Sequence, residues 1–294
     1  MMHIPTLRGE GWRVCALPDL GALNGDAMNI VDHSFIQADD GTWQLWACMR
    51  GTKPGRILYR WEGRSLEQKT LWTDKGIAAR ADAAWGEHVA PAELIQAPFF
   101  LKHNGQYWCF YNCGEVRAMF SDDGKNYERR RFHRDNNILT HCNGPCRGRD
   151  AMVFRDDDGK WYLYTTVSYA FDGHSGAEVI VRSSDDLAFW SDHTVVNRGG
   201  VGGSGPVSCE SPFVVKHAGL YYLFRASSIT FLTYVYCSKT PYNFGVDHDD
   251  KLIATLPLKA PEVFEHAGQW YISDLADFKG IKLYKMDWVP QQQG

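Results

Sequence analysis

Three carboxylates stand at one repeated place in the chain. Nine residues ahead of each of five turn glycines (Gly41, Gly105, Gly159, Gly219 and Gly268) sits a polar residue: Asp32, Gln96, Asp150, Glu210 and Lys259. Acids gathered round one cavity repel each other and are costly to take out of water. Stability alone would not keep such a set. The same burial and repulsion raise the pKa of one member, leaving a proton donor at neutral pH beside an ionised partner. Hydrolysis of a glycosidic bond needs that pair. The acid protonates the leaving oxygen, and the carboxylate assists attack at the anomeric carbon. A second polar column, two residues before each glycine (Asp39, His103, Asp157, His217, His266), falls in the turns and reads as solvated turn chemistry.

Residues so far apart can meet only if their elements bring them together. The five segments are "VDHSFIQADDGTWQLWA", "IQAPFFLKHNGQYWCFY", "GRDAMVFRDDDGKWYLY", "CESPFVVKHAGLYYLF" and "LKAPEVFEHAGQWYISD". Each is apolar or alternating, then turns on a glycine into an aromatic-rich run, the signature of a β-hairpin. The glycines are 64, 54, 60 and 49 residues apart. Further strand-like runs lie between them, as in "VIVRSSDDLAFWSD" and "TYVYCSKTPYNFG", giving about four strands per unit. "ARADAAWGEHVAPAEL" is the only helix candidate, and it is short. Repeated four-stranded sheets predict an all-β, five-bladed β-propeller filling one domain, residues 1–294. Two stacked β-sandwiches give no reason for the recurrence. The first strand of each propeller blade runs along the central axis, so the polar column converges on one cavity. The Gly-rich "NRGGVGGSGP" lacks phosphate-loop spacing and predicts a mobile loop at the site entrance.

Composition narrows the partners. A formal net charge of −4, with acids and bases interleaved, argues against a nucleic-acid binder. No window approaches the roughly 18 apolar residues of a membrane helix. The start, "MMHIPTLRGEGW", lacks the layout of a secretory signal. That predicts a cytoplasmic protein, or a secreted one whose leader has been removed. Cys109/Cys113 and Cys142/Cys146 have spacings that zinc can use. Free, partly buried thiols in a reducing compartment are the alternative, and the core-like "YWCFYNC" favours it. The 11 Trp, 14 Tyr and 15 Phe suit both a sheet-rich core and ring stacking on sugars.

The chain resembles the five-bladed β-propeller glycosidases of glycoside hydrolase families 43, 32, 62 and 68. The resemblance rests on "NIVDHSF", "GRDAMVFRDDDGKWYLY" and "CESPFVVKHAGLYYLF" in that order, and spans residues 25–285. It implies that Asp32 is the base of an inverting enzyme or the nucleophile of a retaining one. Asp150 would position substrate and tune the acid, and Glu210 would be the general acid. "GKWYLY" and Glu-Ser-Pro are closest to family 43, which favours inversion. The first motif departs from the family in having His33 after Asp32 where Asp-Pro is common. Substrate would be an oligosaccharide or glycoside ending in arabinose, xylose or fructose, with no cofactor required. Many family 43 members hold a structural cation in the central channel through a histidine, and no position here matches it. Arg149, Gln96, Lys259, His33 and Trp85 are candidate substrate contacts, with Glu93 beside Trp85 in an irregular stretch. Two other readings remain: a glycan-binding propeller without catalysis, and a phosphorylase resembling family 130 that would hold phosphate through Arg149, Lys259 and the Gly-rich loop.

Overall fold

The computed structural model describes residues 1–131, 137, 139, 148–171 and 174–291. Among the described residues the regular structure is β-strand and short 3₁₀ turns, with no α-helix. The only helical turn in the helix candidate is the 3₁₀ turn Ala83–Trp85, capped by Asp82 and ended by Gly86 in the left-handed region, and its last two residues are strand.

The described strands form five sheets, each antiparallel along its main path. The first runs Asn29–Gln37, Trp43–Thr52, Gly55–Gly63, Thr73–Ala79, with Glu93–Leu94 pairing parallel to the third of these. The second is Gln96–His103, Gln106–Cys113, Glu115–Ser121, Glu128–Arg129. Gly148–Arg155, Trp161–Phe171, His174–Ser184 and Thr194–Asn197 make the third. Glu210–His217, Leu220–Ser227, Leu232–Ser238 and Leu252–Leu256 make the fourth. The last is Val263–His266, Gln269–Asp274 and Gly280–Pro290, completed on its outer edge by the N-terminal strand His3–Ala16.

Each repeated segment forms the first hairpin of its sheet. Three of these hairpins have two-residue turns, Asn104-Gly105, Ala218-Gly219 and Ala267-Gly268, with φ of 50/77, 49/78 and 50/79°. Both positions are left-handed, as a type I′ turn requires, so the second is glycine. The other two hairpins pair Gln37 with Trp43 and Arg155 with Trp161 across longer turns.

The first strands pack against one another in succession. Side chains of one sheet bind backbone amides in the first strand of another. Phe100 N donates to Ser34 Oγ at 3.1 Å, Asp150 N to Asn112 Oδ1 at 3.0 Å, and Ser211 N to Asp150 Oδ2 at 3.0 Å. Phe35 N donates to Glu262 Oε2 at 3.0 Å, joining the first sheet to the last. Aromatic rings fill the gaps between sheets, with Phe35 against Phe264 at 5.5 Å and Phe99 against Phe213 at 6.0 Å. Such sheets bury both faces only against each other, so each depends on its neighbours for a core.

Candidate active site

A register break recurs at the start of the first strands. It falls between Val31 and His33, Gln96 and Phe99, Arg149 and Met152, and Glu210 and Phe213. These are β-bulges, which bend a strand and re-aim its side chains. A left-handed residue marks each one: Asp32 (φ 42°), Ala97 (50°), Asp150 (57°) and Ser211 (44°), with Ala260 (45°) at the matching place in the last sheet. Aspartate tolerates this region better than most residues. The polar column of the sequence therefore mixes two structural positions. Asp32 and Asp150 are the bulged residues, whereas Gln96, Glu210 and Lys259 each precede one.

All five of these residues nevertheless line one cavity of about 520 Å³. Arg149 lines it too, and Nη2 donates to Glu210 Oε1 at 2.7 Å. Its Nη1 donates to Ser168 Oγ at 2.6 Å, and its Nε lies 3.7 Å from Asp150 Oδ2. Ser228 Oγ donates to Glu210 Oε2 at 3.3 Å. Gln96 keeps a buried Oε1 without a hydrogen-bond partner. Lys259 Nζ reaches Asp277 Oδ1 at 2.8 Å.

Burial pushes the Asp32 carboxyl up to about 7, and the charges of Asp150 and Glu210 add to the rise against the pull of Arg56 and Arg149. Glu210 is raised as well, by burial first and Asp150 second, with Arg149 and Ser228 opposing. Two of the three acids thus hold protons more tightly than free carboxylates do, and their titrations belong to the group as a whole.

Three of the contacts expected from the sequence lie off the large cavity. His33 is buried and lies away from the large cavity, with Nε2 2.7 Å from Ser273 Oγ. The bulge at Asp32 turns the next side chain inward, and burial lowers the imidazole pKa to about 3, so it is neutral. Trp85 also lies off the cavity lining; its carbonyl accepts Arg117 Nη1 at 2.9 Å. Glu93 is taken up by Arg80, with 2.9 Å from Arg80 Nε to each carboxylate oxygen. The Gly-rich loop is anchored rather than free. Arg225 Nη2 donates to Gly199 O at 3.1 Å, Val201 N donates to Asp249 Oδ2 at 2.9 Å, and Pro206 reaches the cavity wall.

Below the cavity a space of about 40 Å³ continues down the centre, lined by Asp32, His33, Asp150 and Glu262 among others. Burial raises the Glu262 carboxyl to about 8. Among the described residues no three His, Cys, Asp or Glu side chains are grouped to hold a metal ion. Cys109 and Cys113 are buried free thiols, while Cys142 and Cys146 lie outside the described residues.

Arg50, Arg56, Phe231 and Phe278 also line the cavity and were missed by the column. They come from other strands and loops, whose positions relative to the turn glycines do not repeat.

Four-stranded antiparallel sheets whose inner strands share a polar cavity define a β-propeller. No family model matches the chain, and no curated protein matches it in sequence. Solved structures do match. A thermostable family-43 glycoside hydrolase is 16% identical with a TM-score of 0.67, covering 92% of each chain. An exo-1,5-α-L-arabinanase from a bovine ruminal metagenomic library is 15% identical with a TM-score of 0.63, covering 92% of this chain and 99% of the other. A GH43_1 enzyme from Xanthomonas citri is 15% identical with a TM-score of 0.62, covering 93% and 92%. The chain has the propeller fold of family-43 glycoside hydrolases.

Proposed function

We propose that the protein is a glycoside hydrolase cleaving pentoside linkages, with its five sheets as five blades round one axis. The observation that carries this is the meeting of Asp32, Asp150 and Glu210, from three separate sheets, in one cavity where two of them have raised pKa values. Neither packing nor ordinary ion pairing calls for such a cluster.

The chemistry divides by position. Glu210 gives its proton to the leaving oxygen as the glycosidic C–O bond breaks. A water between Asp32 and the anomeric carbon attacks from the opposite face and passes its proton to Asp32. The proton on Asp32 is then lost to solvent, and Glu210 regains one. Burial first and the charge of Asp150 second raise the Glu210 pKa, favouring its acid form, and Asp150 Oδ2 is held by Ser211 N. Arg149 fixes the Glu210 carboxyl from one side. Gln96 Oε1 is an acceptor free for a sugar hydroxyl.

The solved structures support the substrate class. The Xanthomonas citri enzyme was solved with xylose and with xylotriose, and a β-xylosidase/α-arabinofuranosidase from a compost metagenome with xylotriose. Inversion is proposed from the likeness of the Glu-Ser-Pro segment to family 43. Proton NMR of the first product formed from xylose- and arabinose-terminated oligosaccharides tests both points. The expected product is the free pentose with inverted anomeric configuration, and Asp32→Asn should cut kcat/KM by about 10²–10⁴-fold. Saturable glycan binding with no product from any of these substrates would instead make the protein a binding propeller.

A further inference from the structure

Among the described residues the cavity carries two arginines that no hydrogen bond or ion pair holds, although the Arg56 charge acts through space on Asp32. Arg149 is bonded to Glu210, and Lys259 to Asp277. Arg50 and Arg56 also line the cavity, and among the described residues neither guanidinium has a hydrogen bond or an ion pair. They are neighbours on adjacent strands of the first sheet. Met49 pairs with Ile57 and Thr52 with Gly55, so the two arginines flank the same irregular step of the ladder. Like charges facing each other across strands repel, so packing gives no reason for the pair. Glu93, on the strand that pairs alongside, is committed to Arg80 and to Ala81 N.

The hairpin end holding them is fixed. A side-chain carbon at Gly25 would lie 2.0 Å from Gly51 O, and one at Gly55 would lie 2.5 Å from Glu93 O. Lys53 N also donates to Leu23 O at 3.0 Å. Two guanidiniums carried on one fixed hairpin end suit a planar carboxylate, which each can grip through paired N–H donors. A neutral sugar would leave both without a hydrogen-bonded counter-charge, since Asp32 acts on Arg56 only through space.

We infer that Arg50 and Arg56 bind the carboxylate of a uronic acid carried by the sugar substrate, beside the Asp32 side of the cavity. This rests on reading the cavity as a sugar site. It extends that reading from neutral pentosides to acid-decorated ones.

Calorimetric titration of Glu210→Gln, which blocks turnover, tests the inference with xylotriose, xylotriose bearing a glucuronic acid branch, and inorganic phosphate. The branched sugar should bind at least about tenfold more tightly than xylotriose, the scale of a charge-assisted hydrogen bond. Raising salt from about 0.1 to about 0.5 M should erode that preference. Adding Arg50→Gln and Arg56→Gln should bring the two affinities within about twofold of each other. Equal binding of the two sugars, or a preference that survives loss of both arginines, overturns the inference. So would phosphate binding that depends on the arginines, with wild-type protein consuming phosphate as it releases sugar, because the anion would then be a free co-substrate. Hydrolysis of neutral pentosides without acid preference would sink this inference alone. Acid-selective binding in a protein that hydrolyses nothing would sink the proposed reaction and leave this inference standing.

Discussion

Each charge in the cavity acts on the others through its position. Asp150 raises both Asp32 and Glu210, while its own carboxylate is anchored by Ser211 N. Hydrolysis needs Asp32 ionised and Glu210 protonated, so activity should fall below the Asp32 pKa and again above that of Glu210. With Asp32 pushed up to about 7, the acid limb of kcat/KM should lie near neutrality. Asp150→Asn removes the negative charge that holds both protons on. Both limbs should then move to lower pH, which a pH–kcat/KM profile will show. Limbs that stay in place would mean Asp150 does not tune the pair. The same positional logic explains His33 and Trp85. Their side-chain types suit sugar contact, but the bulge beside His33 and the 3₁₀ turn at Trp85 aim them elsewhere.

The hairpins were legible in the sequence because their turn glycines carry a conformational demand. Gly105, Gly219 and Gly268 have φ between 77 and 79° in two-residue turns. The bulges were not legible. Their left-handed residues are Asp, Ala or Ser, which give no consistent signal, and the two longer turns shift the count to the glycine. The column still found the site because side chains at the bulge and just before it face the same cavity. The inner strands also hold a buried acid outside the reaction. Burial raises Glu262 from 4.5 to about 8, while Phe35 N bonds its carboxylate. A raised folded-state pKa stabilises the fold fully below 4.5, and that contribution is lost as pH rises through about 8. Thermal unfolding followed from pH 5 to 9 should show this loss, and Glu262→Gln should flatten it. An unchanged slope in the variant would place the dependence on another group.

The whole ring is closed by a pairing between chain ends. His3–Ala16 runs antiparallel to Gly280–Pro290, pairing His3 with Pro290 and Ala16 with Gly280. Val14 and Cys15 are fully buried there, and Trp12 meets Tyr271 edge-on at 6.4 Å. The repeat spacing accounts for strands within each unit, but nothing in "HIPTLRGEGWRVCA" marks it as the outer strand of the last sheet. Deleting residues 1–16 should cost about 5 kcal/mol of burial, lower the Tm by about 10 °C or more, and expose a sheet edge that promotes association. Light scattering and calorimetry of the truncated chain would detect both; an unaltered monomer would argue against closure by this strand. Such closure would hold the first strands in place so that Glu210 meets a bond cleaved on the far side by Asp32. The most direct measurement is therefore the leaving-group dependence of Glu210→Ala. Its kcat/KM should fall by about 10³-fold on a pentose oligosaccharide and far less on the dinitrophenyl pentoside, whose leaving group departs without a proton. Equal losses on both substrates, or no loss on either, would contradict the role of Glu210 as the acid.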